Sequence, residues 1–195
     1  MKKQIRKNGF ETNSSSTHAI CISKNNDYEK RDYIEFEIGE FGWEFDIHQN
    51  IHQKASYLIT AILGRADKNF ADEKLEQLRI ILERNNIEYK LPEELKVKSY
   101  DWNGRCYFYY DIDGYIDHVD ETEKFVNAVL SDDDTFMRYM FGDSFIVTGN
   151  DNNNEPFCDY MYEYLGEEET KWGNYKQYGG IKKEFENYEV FEKGN

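Results

Sequence analysis

Apolar and polar positions follow two different periods along this chain, and together they divide it into elements. Ala19–Ser23 reads as a short strand after a polar, turn-forming segment over 8–18. Ile34, Phe36 and Ile38 alternate with Glu35 and Glu37, the period-2 mark of a half-buried strand. Gly39 and Gly42 interrupt that run, and Trp43, Phe45 and Ile47 resume it, which predicts a hairpin. Ile51, Ala55, Leu58, Ile59 and Ile62 keep helical spacing up to Gly64. Leu75, Leu78, Ile81 and Leu82 mark a second helix ending near Asn85-Asn86, and Ile87–Leu91 reads as a strand before Pro92. Arg105–Ile112 and Tyr115–Val119 flank Asp113-Gly114, a hairpin signal. Helices are expected over 121–130 and 133–141, a strand over Ser144–Thr148, and a loop over 149–154. Pro156 suits the first turn of another helix. The Gly-, Lys- and Tyr-rich tail over 171–195 has no clear period. This pattern predicts an α+β fold, a mixed and mostly antiparallel sheet with helices packed against it, as one domain over 1–195.

Charge changes the picture. The net charge is −15, and it is unevenly spread. Residues 1–100 hold 16 basic and 17 acidic side chains, whereas 101–195 hold 8 and 22. The acidic C-terminal region, from about residue 120, repels nucleic acid and membrane phosphates and attracts basic proteins. No stretch approaches the roughly 18 apolar residues of a membrane span, and the basic start, Lys2 to Lys7, has no apolar run behind it. Cys21, Cys106 and Cys158 are too scattered for a disulfide framework or a zinc site. The expected location is therefore the cytoplasm, with the thiols reduced.

Several clusters have the residue types that chemistry needs. Thr12–His18 places an amide, five hydroxyls and an imidazole within seven residues. A hydroxyl beside a His is what nucleophilic catalysis requires, because a base must take the hydroxyl proton. Ser16 and His18 are the candidates, and Asp117 or Asp151 would orient the base. Asp117-His118 is a second acid–base pair, and Asn13 and Asn150 would join if the histidines met. The same Ser and Thr residues also serve to satisfy turn backbone. Asp111, Asp113, Gly114, Asp117 and Asp120 suggest calcium. Setting Gly114 at the loop glycine puts Tyr109 at the first ligand position and Asp120 at the last, so no calcium site is expected. His48 and His52 have zinc spacing without a third ligand, and no metal or other cofactor is expected.

No Lys or Arg lies between Arg138 and Lys171, and Asp151, Glu155, Asp159, Glu163 and Glu167 fall every fourth residue. After Pro156, a helix would stack Asp159, Glu163 and Glu167 on one face beside Tyr160 and Tyr164, with Glu168 and Glu169 extending the charge. Carboxylates interleaved with aromatics imitate a phosphate backbone with stacked bases. The plain alternative is a solvated face of an acidic protein.

Four segments together resemble a family of uncharacterised proteins of phages and Firmicutes mobile elements. They are Gly9-Phe10-Glu11-Thr12-Asn13-Ser14-Ser15-Ser16-Thr17-His18, Gly39-Glu40-Phe41-Gly42-Trp43-Glu44, Tyr115-Ile116-Asp117-His118 and Thr148-Gly149-Asn150-Asp151-Asn152. The resemblance covers roughly residues 1–155 and implies a phage setting without an assigned activity. The expected function is a phage-type, non-enzymatic inhibitor. Its acidic, aromatic surface would block a basic nucleic-acid-binding site of a host defence protein, for example a CRISPR effector nuclease. The alternatives are an enzyme with a Ser/Thr-His-Asp-Asn site acting on a nucleotide-like substrate, and a phage accessory or structural module.

Overall fold

A strand that is buried from end to end must be covered on both faces, and β1 (Ser16–Ser23) is such a strand. The structure is a computed structural model and describes residues 16–150, 155–170 and 173–193. After β1 come β2 (Tyr33–Glu35), β3 (Glu40–Phe41), β4 (Asp46–His48), α1 (Ile51–Leu63) and α2 (Lys68–Arg84). Then follow β5 (Glu88–Lys90), β6 (Lys96–Trp102), β7 (Arg105–Asp111) and β8 (Tyr115–Ile116). A 3₁₀ turn over Val119–Thr122 leads into α3 (Glu123–Val129), α4 (Asp133–Phe141) and β9 (Phe145–Asn150). The chain closes with α5 (Glu155–Met161), β10 (Tyr162–Thr170), β11 (Gly173–Ile181), a 3₁₀ turn over Lys183–Phe185 and β12 (Tyr188–Lys193).

The described residues form an antiparallel sheet in the order β12–β1–β9–β4 and four two-stranded sheets, so the fold is mixed α+β as expected. Alternation along β1 and β9 sorts their side chains between two cores. Ile20, Ile22 and Ile146 join Leu58, Ile62, Phe125, Phe136 and Met140 under α1, α3 and α4. Ala19, Cys21, Phe145 and Val147 join Phe157, Met161 and Phe185 on the other face. Burial pushes the Cys21 thiol up to about 12, so it stays protonated.

Local chemistry sets the helix starts. Asn50 and Gln53 form a reciprocal capping box at α1, and the Asp67 carboxylate accepts from the N–H groups of Asn69 and Phe70 at α2. Asp132 caps α4 in the same way, through the N–H of Thr135. Ten successive residues of α1, Lys54 to Leu63, are buried. Lys54 meets that burial by donating from Nζ to the carbonyl of Gly142 at 2.9 Å, at the negative end of α4. Burial still lowers its pKa to about 8, partly offset by Asp143.

Both expected hairpins are corrected. Residues 34–38 and 43–47 do not pair: β2 runs parallel to β5, β3 parallel to β8, and β4 antiparallel to β9. Across Asp113-Gly114 there is no hairpin either, because β7 pairs with β6 and β8 with β3. The turn that closes the β6–β7 hairpin is Asn103-Gly104, with φ of 49° and 74°, the twist that matches right-handed strands. Gly114 instead passes so close to Ile38 that an added Cβ would lie 2.1 Å from its Cγ2. The acidic stripe is corrected too. α5 ends at Met161, so Glu163 and Glu167 to Glu169 lie on β10 and not on a helix face. The strand replaces the helix because β11, from the unassigned tail, pairs with it over Tyr162 to Thr170.

Candidate functional site

The described residues of the four motif segments meet at the start of β1. Ser16, Thr17 and His18 lie opposite Asn150, Gly149 and Thr148 of β9. Gly42 packs on β1 so tightly that an added Cβ would sit 2.6 Å from Nε2 of His18 and 2.7 Å from Oγ of Ser16. Only a glycine fits there, since its φ is +98°. The N–H of Ser16 donates to Oδ2 of Asp117 at 3.1 Å, and the Tyr115 hydroxyl donates to Oδ1 of the same carboxylate at 2.6 Å. The N–H of Tyr115 donates to the carbonyl of Gly39 at 2.8 Å, and the Trp43 ring stacks on Tyr115 at 5.5 Å between centroids. The Thr148 hydroxyl donates to the carbonyl of Glu44 at 3.1 Å, which ties the fourth segment in.

The two histidines occupy unlike surroundings. The His18 ring is fully buried, with Nδ1 2.7 Å from the hydroxyl of Tyr57. Burial pushes the Tyr57 phenol far up, so it stays a neutral hydroxyl. A row of rings then runs from His18 through Tyr57 and Phe41 to His48, with neighbouring centroids 5.0 to 5.7 Å apart. His118 has a left-handed backbone, φ 48°, and a half-exposed side chain. Its Nε2 lies 3.8 Å from Oδ1 of Asp117 and its Nδ1 3.7 Å from Glu121. Asp117 therefore links the two segments, holding the main chain two residues before His18 and standing beside the His118 ring. Chemically the junction has a carboxylate with two donors on it, an enclosed imidazole and an imidazole open to solvent. Asn13 and Asp151 lie outside the described residues, and Asn150 is placed by its backbone register.

The acidic candidates are spread over two elements. Lys176 Nζ lies 2.5 Å from a Glu155 oxygen and 2.9 Å from one of Asp159, and the Tyr178 hydroxyl donates to Asp159 at 2.6 Å. The Tyr178 hydrogen bond and then Lys176 hold the Asp159 carboxyl below its usual range. Tyr160 is half-buried and packs against Phe45, Phe145 and Phe185. Glu163, Tyr164, Glu167, Glu168 and Glu169 are exposed on β10. Asp111 binds Lys98 at 2.8 Å, and His52 lies 3.4 Å from Glu37 while His48 is buried at the end of β4. Among the described residues no group of three or more His, Cys, Asp or Glu is placed to hold a metal ion.

Tyr57 escaped the sequence reading because a tyrosine on an apolar helix face looks like core; its partner arrives from 39 residues away. Among the described residues no helix is long and apolar enough to cross a membrane. Compared with family models, with curated proteins and with solved structures, the chain has no match.

Proposed function

We propose that this chain is a non-enzymatic binding protein that sets an acidic, aromatic ribbon against the basic nucleic-acid-binding surface of another protein. One observation carries the reading. On the β10–β11 ribbon, Glu163, Glu167, Glu168 and Glu169 are exposed, and so are Tyr164, Leu165 and Tyr175, at 53%, 66% and 55%, with Glu168 directly opposite Tyr175. The ribbon's Lys176, opposite Glu167 in the register, directs its ammonium to Glu155 and Asp159 of α5. Large exposed side chains rimmed by like charge suit a partner that supplies cations and covers rings. The setting, a phage-type protein acting on a host defence protein such as a CRISPR effector nuclease, draws on the resemblance of the motif segments.

The test is capture of a partner from host lysate at graded salt, with the parent chain and a variant carrying Glu163→Lys, Glu167→Lys, Glu168→Lys and Glu169→Lys. The parent should retain a basic nucleic-acid-binding protein at low salt and lose it as salt shortens the Debye length toward about 10 Å and below. Equal retention by the charge-reversed variant sinks the reading. The meeting of the four motifs at Ser16 favours a second reading, an enzyme acting on a nucleotide-like substrate. The enclosure of the His18 ring against Tyr57 and Gly42 supports a structural role for that imidazole instead.

A further inference from the structure

The β6–β7 hairpin is a second ribbon, and its two faces differ. Cross-strand register puts Lys96 opposite Asp111, Lys98 opposite Tyr109, Tyr100 opposite Tyr107 and Trp102 opposite Arg105, all on one face. The other face holds Val97, Ser99, Asp101, Cys106, Phe108 and Tyr110. That second face is tied down at Tyr110, which donates to Asp72 of α2 at 2.6 Å with Lys68 over its ring at 5.2 Å, while its Val97 and Phe108 are 48% and 53% exposed. The first face is thereby turned away from α2.

The outward face is a continuous aromatic row edged by cations. Tyr100 stacks on Tyr107, with centroids 5.3 Å apart and planes 17° apart, and Trp102 and Tyr109 flank the pair at 6.4 and 6.0 Å. Trp102 is 63% exposed and Tyr100 41%. Lys96, Lys98 and Arg105 accompany them, against the single carboxylate of Asp111, which takes Lys98 at 2.8 Å. In a chain of net charge −15, this face carries three cations and one acid. Two of the four rings, Trp102 and Tyr100, are exposed, and Tyr107 and Tyr109 beside them are half-buried, an ordered row that a partner would cover.

From this face we infer that the β6–β7 ribbon binds single-stranded nucleic acid, with bases stacked on Trp102 and the tyrosine row and phosphates paired to Lys96, Lys98 and Arg105. The charge complement of the face is a polyanion, and a polyanion with planar groups at every step satisfies rings and cations together. A protein partner would take the rings without needing the three cations. The inference is independent of the acidic ribbon, which lies on different strands. If both hold, the chain has one ribbon for a basic protein and one for the nucleic acid that such a protein carries.

The test titrates the full chain into a labelled oligothymidylate and a labelled oligouridylate at low ionic strength, read by fluorescence anisotropy. Three neutralised phosphates give a log–log salt slope of roughly −2, since each contributes about 0.7 for a single strand. Trp102→Ala should weaken binding about tenfold. Lys98→Glu with Arg105→Glu should weaken it further and flatten the slope. The charge-reversed β10 variant should bind at least as well as the parent, which separates this inference from the proposed function. All these side chains are exposed, and far-ultraviolet circular dichroism checks that each variant folds. No binding at low salt overturns the inference, and so does binding that the ribbon variants leave unchanged. A third result also overturns it: ribbon variants that alter sedimentation of the chain, with no effect on oligonucleotide, assign the face to a protein partner.

Discussion

Gly42→Ala should be the most damaging small substitution at the motif junction. Gly42 has φ +98°, and an added Cβ would lie 2.6 Å from His18 Nε2, 2.7 Å from Ser16 Cβ and 2.7 Å from Ser16 Oγ. Neither neighbour yields easily, since Ser16 and His18 are 4% and 0% exposed in one of the two inner strands of the sheet. Backbone strain at positive φ costs about 1–3 kcal/mol, and overpacking a tight site about as much again. A combined loss near 4 kcal/mol lowers the melting temperature of a chain this long by about 8–16 °C. Gly104→Ala is the control: its φ is +74°, and an added Cβ meets nothing within 4 Å. It should cost only about 1 kcal/mol, from conformation alone. The assay is thermal and urea unfolding of parent, Gly42→Ala and Gly104→Ala. Equal losses in the two variants would refute the claim that Gly42 is held by packing against His18 and Ser16.

Three further outcomes follow from buried or bonded charges. Burial lowers the His48 pKa, against a smaller opposing pull from Asp46. The folded state therefore binds fewer protons than the unfolded one, whose histidine titrates near 6.5, and stability falls as pH drops through that value. His48→Leu should flatten the fall in urea midpoint between pH ~7.5 and ~5.5, and an unchanged slope would clear His48. Lys54 has its folded pKa lowered to about 8 from 10.5, so stability rises with pH above about 8, where the folded amine gives up its proton first. Lys54→Met should remove that rise between pH ~8 and ~9.5, below tyrosine ionisation, and a rise that persists assigns it elsewhere. Asp159→Ala releases Tyr178 and one of the two carboxylates on Lys176, so amides of β10 and β11 should exchange faster while those of β1 and β9 do not. Uniform acceleration, or none, would show that this carboxylate does not clasp the ribbon to α5.

The sequence by itself determined the elements whose signal is local. The α1 pattern from Ile51 to Ile62 is a helix from Ile51 to Leu63, and the expectation over 133–141 matches α4 to the residue, because caps and apolar spacing lie within the segment itself. It also determined the α+β class; that the Ser16 backbone meets the Asp117 carboxylate and lies opposite Asn150 was decided by the sheet register. Tertiary structure alone decided the partners. Strands of two or three residues such as β2, β3 and β8 have too little pattern to name a neighbour, and each found one far along the chain. Glu163 and Glu167 have helical spacing, yet they are strand residues, because like carboxylates four apart repel on a helix by a few tenths of a kcal/mol per pair while the strand pairs its backbone with β11. His18 read as a candidate base beside the Ser and Thr hydroxyls, and the tertiary structure enclosed it between Tyr57 and Gly42, two residues whose contacts with it no local period encodes.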